Sequence, residues 1–204
     1  MIELYYSPGA CSIAIHYFLE KFGIEYRATS VNLKQKSEKF LEINPEGAVP
    51  VLIDNGFVLT QNLAIIDYLE DRFPKKLILG SEDLQEKAIV RKWLAFLNSD
   101  LHPKFYPLFA AKRFVQTDTA INEIQEQSRT DLVNLYNKIE QRLSKSPWLG
   151  AHFSIADSYL FATLRWAIAM KIIDLDKLPH LSTLFNKMHN DDLMKKVMAD
   201  EGLI

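Results

Sequence analysis

The single cysteine among 204 residues, Cys11, stands in the stretch YYSPGACSIAIHYFLEKFG, residues 5–23. Pro8 and Gly9 form a turn that brings the chain off a strand, so Cys11 falls at, or within one residue of, the start of a helix. The free N–H groups and positive dipole end found there favour a thiolate, and can lower a cysteine pKa from ~8.5 into the range ~3.5–7.5. Free cysteine is also among the most buried residue types, a small hydrophobe with a weak donor. Spacing alone leaves the nucleophile and the buried sulfur equally open.

Two other segments carry residues of interest. In NPEGAVPVLI, Pro50 opens a strand, a position where proline is tolerated; the ordinary X–Pro bond there is trans. In TQNLAIIDYL, Asn62 is a good N-cap, and the helix start behind it can receive a carboxylate on its free N–H groups. Capping after a hairpin is the simpler account of Gln61 and Asn62 when they are taken alone.

The elements that must position these residues follow from periodicity. IELYY alternates as a strand, SPGA turns, and Ile15, Phe18, Leu19 and Phe22 line one helix face that ends at Gly23. EYRATSVNL reads as a second strand and QKSEKFLEI as a short helix. VPVLI and FVLT are two strands joined by DNG, a strong hairpin signal, and QNLAIIDYLEDRF is a helix. The order β-α-β-α-β-β-α predicts an α/β domain over 1–75, followed by a linker over 76–83. Residues 84–112, 119–144, 155–171 and 180–200 read as helices, so 84–204 is expected to be all-α.

Composition narrows the function classes. Hydrophobic residues make up 48% and charged residues 25% of the chain, with 7 Gly and 8 Pro, so the whole chain should fold. The net charge is −2 with Lys and Arg dispersed, which argues against nucleic acid as a partner. No signal peptide or spanning helix is read, and one cysteine offers neither an internal disulfide nor a CxxC metal or redox motif. A cytoplasmic protein without a bound metal is expected.

A β-α-β-α-β-β-α unit with a cysteine at its first helix and a proline opening its third strand resembles the thioredoxin fold, in which that proline is cis. Together with the helical second half, YYSPGACS, AVPVLI, TQNLAI and DLHPKFYPLF make the whole chain resemble a glutathione transferase, most closely the bacterial beta class. The resemblance implies glutathione as co-substrate, a hydrophobic electrophile as second substrate and a homodimer. It implies catalytic roles for Cys11, near the glutathione sulfur, for His102, facing it, and for Tyr6, which matches a tyrosine near the site; activation of the thiol by a tyrosine hydroxyl is the alternative to activation by Cys11. Val49, followed by Pro50, would hold the cysteinyl backbone of glutathione, Gln61 and Asn62 its γ-glutamyl end, and Lys36 its glycine end. The charge run KQKSEK around Lys36 also reads as a solvated surface.

Asp100 matches an acidic position that reaches the ligand's ammonium from the partner subunit. Asn62 and Ala95 depart from the family pattern, Ala95 standing where an asparagine is common. These departures motivate an alternative, a non-catalytic binding or scaffold protein of the same fold; isomerase or dehalogenase activity on a glutathione adduct is a third. A glutathione-dependent thiol–disulfide reductase activity through Cys11 would use the same pocket. In FSIADSYLF, Ser154 and Asp157 have capping-box spacing, a folding signature. Among Trp93, Phe96, Phe105, Tyr106, Phe109 and Trp166, the electrophile pocket is expected to use Phe105 or Phe109.

Overall fold

The computed structural model describes all residues, Met1–Ile204. Its first part is a four-stranded sheet with spatial order β2-β1-β3-β4, built from β1 (Ile2–Tyr6), β2 (Tyr26–Ser30), β3 (Val51–Asp54) and β4 (Phe57–Thr60). β1 and β2 run parallel across the crossover helix α1 (Ile13–Lys21); β3 lies antiparallel to β1, with Leu4 opposite Leu52, and β4 antiparallel to β3. The helices α2 (Glu38–Ile43) and α3 (Asn62–Arg72) complete the thioredoxin-like order expected from the sequence.

Alternation decides which side chains face which layer. Ile2, Leu4 and Tyr6 of β1 point into the main core, while Tyr5, on the other face, stacks on Phe40 of α2 at 5.8 Å. The β3–β4 turn places Asn55 at φ +49° and Gly56 at +90°, the paired left-handed conformations that a two-residue hairpin requires.

The remainder is helical: α4 (Leu84–Ala95), α5 (Tyr106–Ala110), α6 (Asp118–Leu143), α7 (Ile155–Ala169), α8 (Pro179–Asn190) and α9 (Asp192–Asp200). Two helices expected from the sequence are broken. The stretch 84–112 passes from α4 into a wide π-helical turn, Phe96–Leu101, then a tight 3-10 turn, His102–Phe105, before α5. Pro103 and Pro107 lack the N–H that a continuous helix would use. The stretch 180–200 divides at Asp191, whose carboxylate accepts Met194 N–H at 2.9 Å and so starts α9 instead of continuing α8.

Both halves share one core of 41 buried residues. α7 is its axis and is buried almost all round, as a central helix must be. Its start carries the capping box: Asp157 accepts Ser154 N–H at 2.9 Å and Leu149 N–H at 2.9 Å. From α1, Tyr17 and Phe18 pack on Phe153, just ahead of α7, so the helix that follows Cys11 is seated against the helical half.

Candidate active site

The turn Ser7–Ala10 closes with Ala10 N–H on Ser7 C=O at 3.0 Å, with Pro8 at its second position and Gly9 at φ +70° at its third. Only glycine takes that conformation freely, and a side chain here would also press on Arg165. The Gly9 peptide is held from both sides by the helical half: its N–H donates to Glu201 Oε2 at 2.8 Å, and its carbonyl accepts Trp166 Nε1–H at 2.7 Å. Glu201 is buried and its other oxygen lies 2.9 Å from His16 Nδ1, on α1. The turn that delivers Cys11 is therefore fixed by residues more than 150 positions away.

Cys11 sits one residue before Ser12, which caps α1. It is 7% exposed, and its thiol donates to the Val49 carbonyl at 3.7 Å. Burial pushes the thiol up to about 12; the N–H groups of Cys11 and Ser12 and the Asn62 carboxamide pull the other way and lose. The thiolate that a helix start would favour is thus not the resting state, because loss of hydration outweighs the local dipole.

Around the sulfur, α3 and the loop before β3 supply the polar groups. Val49–Pro50 is a cis peptide, and the Val49 N–H makes no hydrogen bond within the chain. Gln61 is exposed and held at φ +73°, in the left-handed region that favours glycine, which marks the entry to α3 as strained. Gln61, not Asn62, is the N-cap; Asn62 is the first helical residue, and its side chain turns inward. Asn62 is 4% exposed, lies beside both Cys11 and Tyr159, and neither of its amide atoms has a hydrogen-bond partner. The helix-start N–H groups that the sequence assigns to the γ-glutamyl end are therefore those behind Gln61, and the Asn62 side chain is turned into the interior. Lys36 lies across Gly47, in the loop leading to Val49.

The facing wall comes from the helical half. The π-helical turn lets His102 N–H reach Leu97 C=O, five residues back, and aims the His102 side chain at α7. His102 Nδ1 lies 2.8 Å from the Tyr159 hydroxyl, which in turn donates to Asn98 Oδ1 at 3.3 Å. With the Tyr159 proton on Asn98, Nδ1–H donates to the Tyr159 oxygen and Nε2 is left as an acceptor, an assignment made from this network. Burial lowers the His102 pKa to about 4, so the ring is neutral at pH 7. Its ring lies 4.8 Å from Trp166 and 5.5 Å from Tyr106. Burial raises the Tyr106 and Tyr159 hydroxyls, and the charge of a Cys11 thiolate would raise both further.

The structure thus brings Cys11, Val49, Pro50, Asn62 and the His102 group together, with Gln61 at the rim. Tyr6 does not join them. Its side chain points into the core, its hydroxyl donates to the Asp200 carbonyl at 3.2 Å, and its ring packs on His16 at 5.1 Å. This is the consequence of strand alternation: Tyr6 shares a face with Ile2 and Leu4. Asp100 is exposed on a cleft of about 950 Å3 with Phe96, Tyr106 and Phe114, and Cys11 is not among the residues lining it. Phe105 is fully buried, whereas Tyr106, Phe109 and Phe114 are about half exposed. Tyr159, Asn98 and Glu201 are not singled out by the sequence as site residues. Asn98 lies four residues before His102, a spacing that could have suggested a shared helix face; Glu201 gave no local signal.

A thioredoxin-like domain joined to an all-helical half is the architecture of the glutathione transferases. Comparison with known proteins agrees. Residues 2–71 match the glutathione S-transferase N-terminal domain and residues 122–186 the glutathione S-transferase C-terminal domain. A glutathione S-transferase, GST-4.5, of Xanthomonas campestris is 38% identical over 204 residues, covering 99% of this chain and all of that protein. A solved glutathione S-transferase from Xylella fastidiosa superposes with a TM-score of 0.93 at 36% identity over the whole of both chains. A bacterial beta class glutathione S-transferase from Sphingomonas chungbukensis gives 0.87 at 31% identity, over 99% of this chain and 100% of the other. The chain belongs to the glutathione S-transferase family, and is an enzyme of that family similar to the beta class.

Proposed function

We propose that the protein conjugates reduced glutathione to hydrophobic electrophiles, with Cys11 holding the glutathione sulfur as a thiolate by donating its S–H. The observation that carries this reading is the neutral, buried Cys11 thiol resting on the Val49 carbonyl, beside a Val49 N–H that the fold does not use. An extended cysteinyl backbone can take both Val49 groups as an added strand would, which releases the Cys11 S–H toward the ligand sulfur. A sphingomonad glutathione S-transferase solved with glutathione is 31% identical and superposes with a TM-score of 0.85, which supports the same ligand here.

In this reading Pro50 shapes the Val49 segment, Lys36 meets the glycine carboxylate, and Gln61 with the free N–H groups at the start of α3 meets the γ-glutamyl end. His102, neutral, presents Nε2 across the cleft and takes the thiol proton or polarises the water that does. Asp100 lies on a cleft that Cys11 does not line, and in a homodimer Asp100 of the partner subunit is the group assigned to the ligand ammonium. The electrophile lies against the exposed aromatic side chains Tyr106 and Phe109. A cytoplasmic location fits these substrates, and no helix is long and apolar enough to cross a membrane.

Thiol–disulfide exchange is a second use of the same pocket, favoured by the placement of the chain's one thiol beside a peptide-binding backbone. Cys11 sulfur would attack a glutathione-containing disulfide and release the other thiol; a second glutathione would then attack the mixed disulfide, freeing Cys11 and leaving as glutathione disulfide. The test separates the two: glutathione-dependent turnover of a chloronitrobenzene and of a glutathione mixed disulfide, in wild type and Cys11→Ala. Conjugation should fall about tenfold, one lost hydrogen bond to a charged sulfur, and disulfide reduction should vanish. Conjugation unchanged in Cys11→Ala overturns the donor role.

A further inference from the structure

Asn62 is in the wrong state for a core residue. Replacing or satisfying a buried amide costs little, whereas leaving a donor unpaired costs about 1–3 kcal/mol, so the unpartnered N–H groups of a 4% exposed carboxamide require a reason. Its surroundings give one. On one side is the Cys11 sulfur, whose proton is engaged by the Val49 carbonyl and whose lone pairs are not. On the other is the Tyr159 oxygen, already tied to His102 and Asn98. The Asn62 backbone N–H, at the first position of α3, also makes no hydrogen bond within the chain, as the first N–H groups of a helix do not.

We propose that Asn62 is a positioning residue: when glutathione seats, its two side-chain N–H groups bridge the Cys11 sulfur and the Tyr159 oxygen, fixing Cys11 as a hydrogen-bond donor to the glutathione thiolate. This deepens, and rests on, the glutathione reading above. The sequence of events is a deprotonation. The ligand takes the Val49 carbonyl, the Cys11 S–H turns to the ligand sulfur, and the glutathione thiol gives its proton to water. Cys11 keeps its own proton and no electron changes hands. A sulfur that donates becomes a better acceptor, so the Asn62 N–H bond strengthens the Cys11 bond to the thiolate in the same low-dielectric pocket. The bridge also links sulfur on the thioredoxin-like half to the His102 group on the helical half through one carboxamide.

The experiment follows the thiolate absorbance of bound glutathione near 240 nm against pH, in wild type, Asn62→Leu and Asn62→Asp, with the affinity for S-methylglutathione and the melting temperature measured alongside. The midpoint should rise by about one pH unit in Asn62→Leu, the tenfold worth of one hydrogen bond to a charged group. It should rise at least as far in Asn62→Asp, which replaces a donor by an acceptor. S-methylglutathione, which has no thiol proton, should lose less affinity than glutathione does in each variant, and Asn62→Leu should melt no lower than wild type, since it removes an unsatisfied amide. Asn62→Asp is nearly isosteric and gives the reading if the leucine disturbs folding. A midpoint that stays at the wild-type value, with or without a drop in melting temperature, makes Asn62 structural and overturns the proposal. Failure of wild type to bind S-methylglutathione overturns the glutathione reading itself and the Asn62 assignment with it.

Discussion

Two polar clusters are buried in this protein, and they are treated in opposite ways. At the start of α7, Asp157 is fully buried and takes two backbone N–H groups at 2.9 Å, so the carboxylate and both donors are satisfied. At the starts of α1 and α3, Cys11 makes one long contact and Asn62 makes none. Burial is the same, and what differs is whether the chain itself supplies the partners. The first cluster contributes to folding; the second is left incomplete by the chain, and in the function proposed above a ligand completes it.

If that contrast is right, the largest loss of stability comes from the satisfied cluster. Asp157→Ala strands two buried N–H groups and should cost about 4 kcal/mol, read as a fall in denaturant midpoint at unchanged slope. Next comes acid. His102 has its pKa lowered to about 4 from 6.5, so folding favours its neutral form; the stability this provides is complete above pH 6.5 and is lost as pH falls from 6.5 toward 4. Unfolding free energy should drop by up to about 3 kcal/mol across that window, and His102→Gln should flatten the drop.

The tie between the halves is weaker. Glu201→Gln keeps an acceptor but drops the charge, whereas Glu201→Ala strands Gly9 N–H and should cost about 2 kcal/mol while loosening the turn that carries Cys11. Turnover should fall with it. The smallest effect is expected from Tyr6→Phe, which loses a single hydroxyl bond to Asp200 C=O: about 1 kcal/mol, with glutathione turnover at the wild-type level. A large catalytic loss in Tyr6→Phe would return that residue to the site and break the division drawn here.

Local chemistry carried much of this into the sequence. Alternation and turn residues specify the sheet, the SPGA turn and the DNG hairpin; the Ser154–Asp157 spacing specifies the α7 cap. The site was legible where it is contiguous with such signals, at Cys11, Val49–Pro50 and Gln61. It was not legible where it depends on distance. Whether Tyr6 faces the core or the cleft is set by the register of β1 against its neighbours, and Glu201 reaches Gly9 only because α9 folds back over α1. The π-helical turn before His102 has no period of its own, so Pro103 was its one trace. Most tellingly, the position of Cys11 at a helix start argued for a thiolate, while its burial, a tertiary property, raises the thiol to about 12.

That last point is the most direct place to test the account. Thiolate absorbance near 240 nm is titrated in the ligand-free protein, with Cys11→Ala subtracted so that the chain's only thiol is isolated. The account predicts no Cys11 ionisation below about pH 10, and a thiolate that appears near neutral pH only after glutathione is added. A Cys11 thiolate titrating near pH 6 without ligand would contradict it.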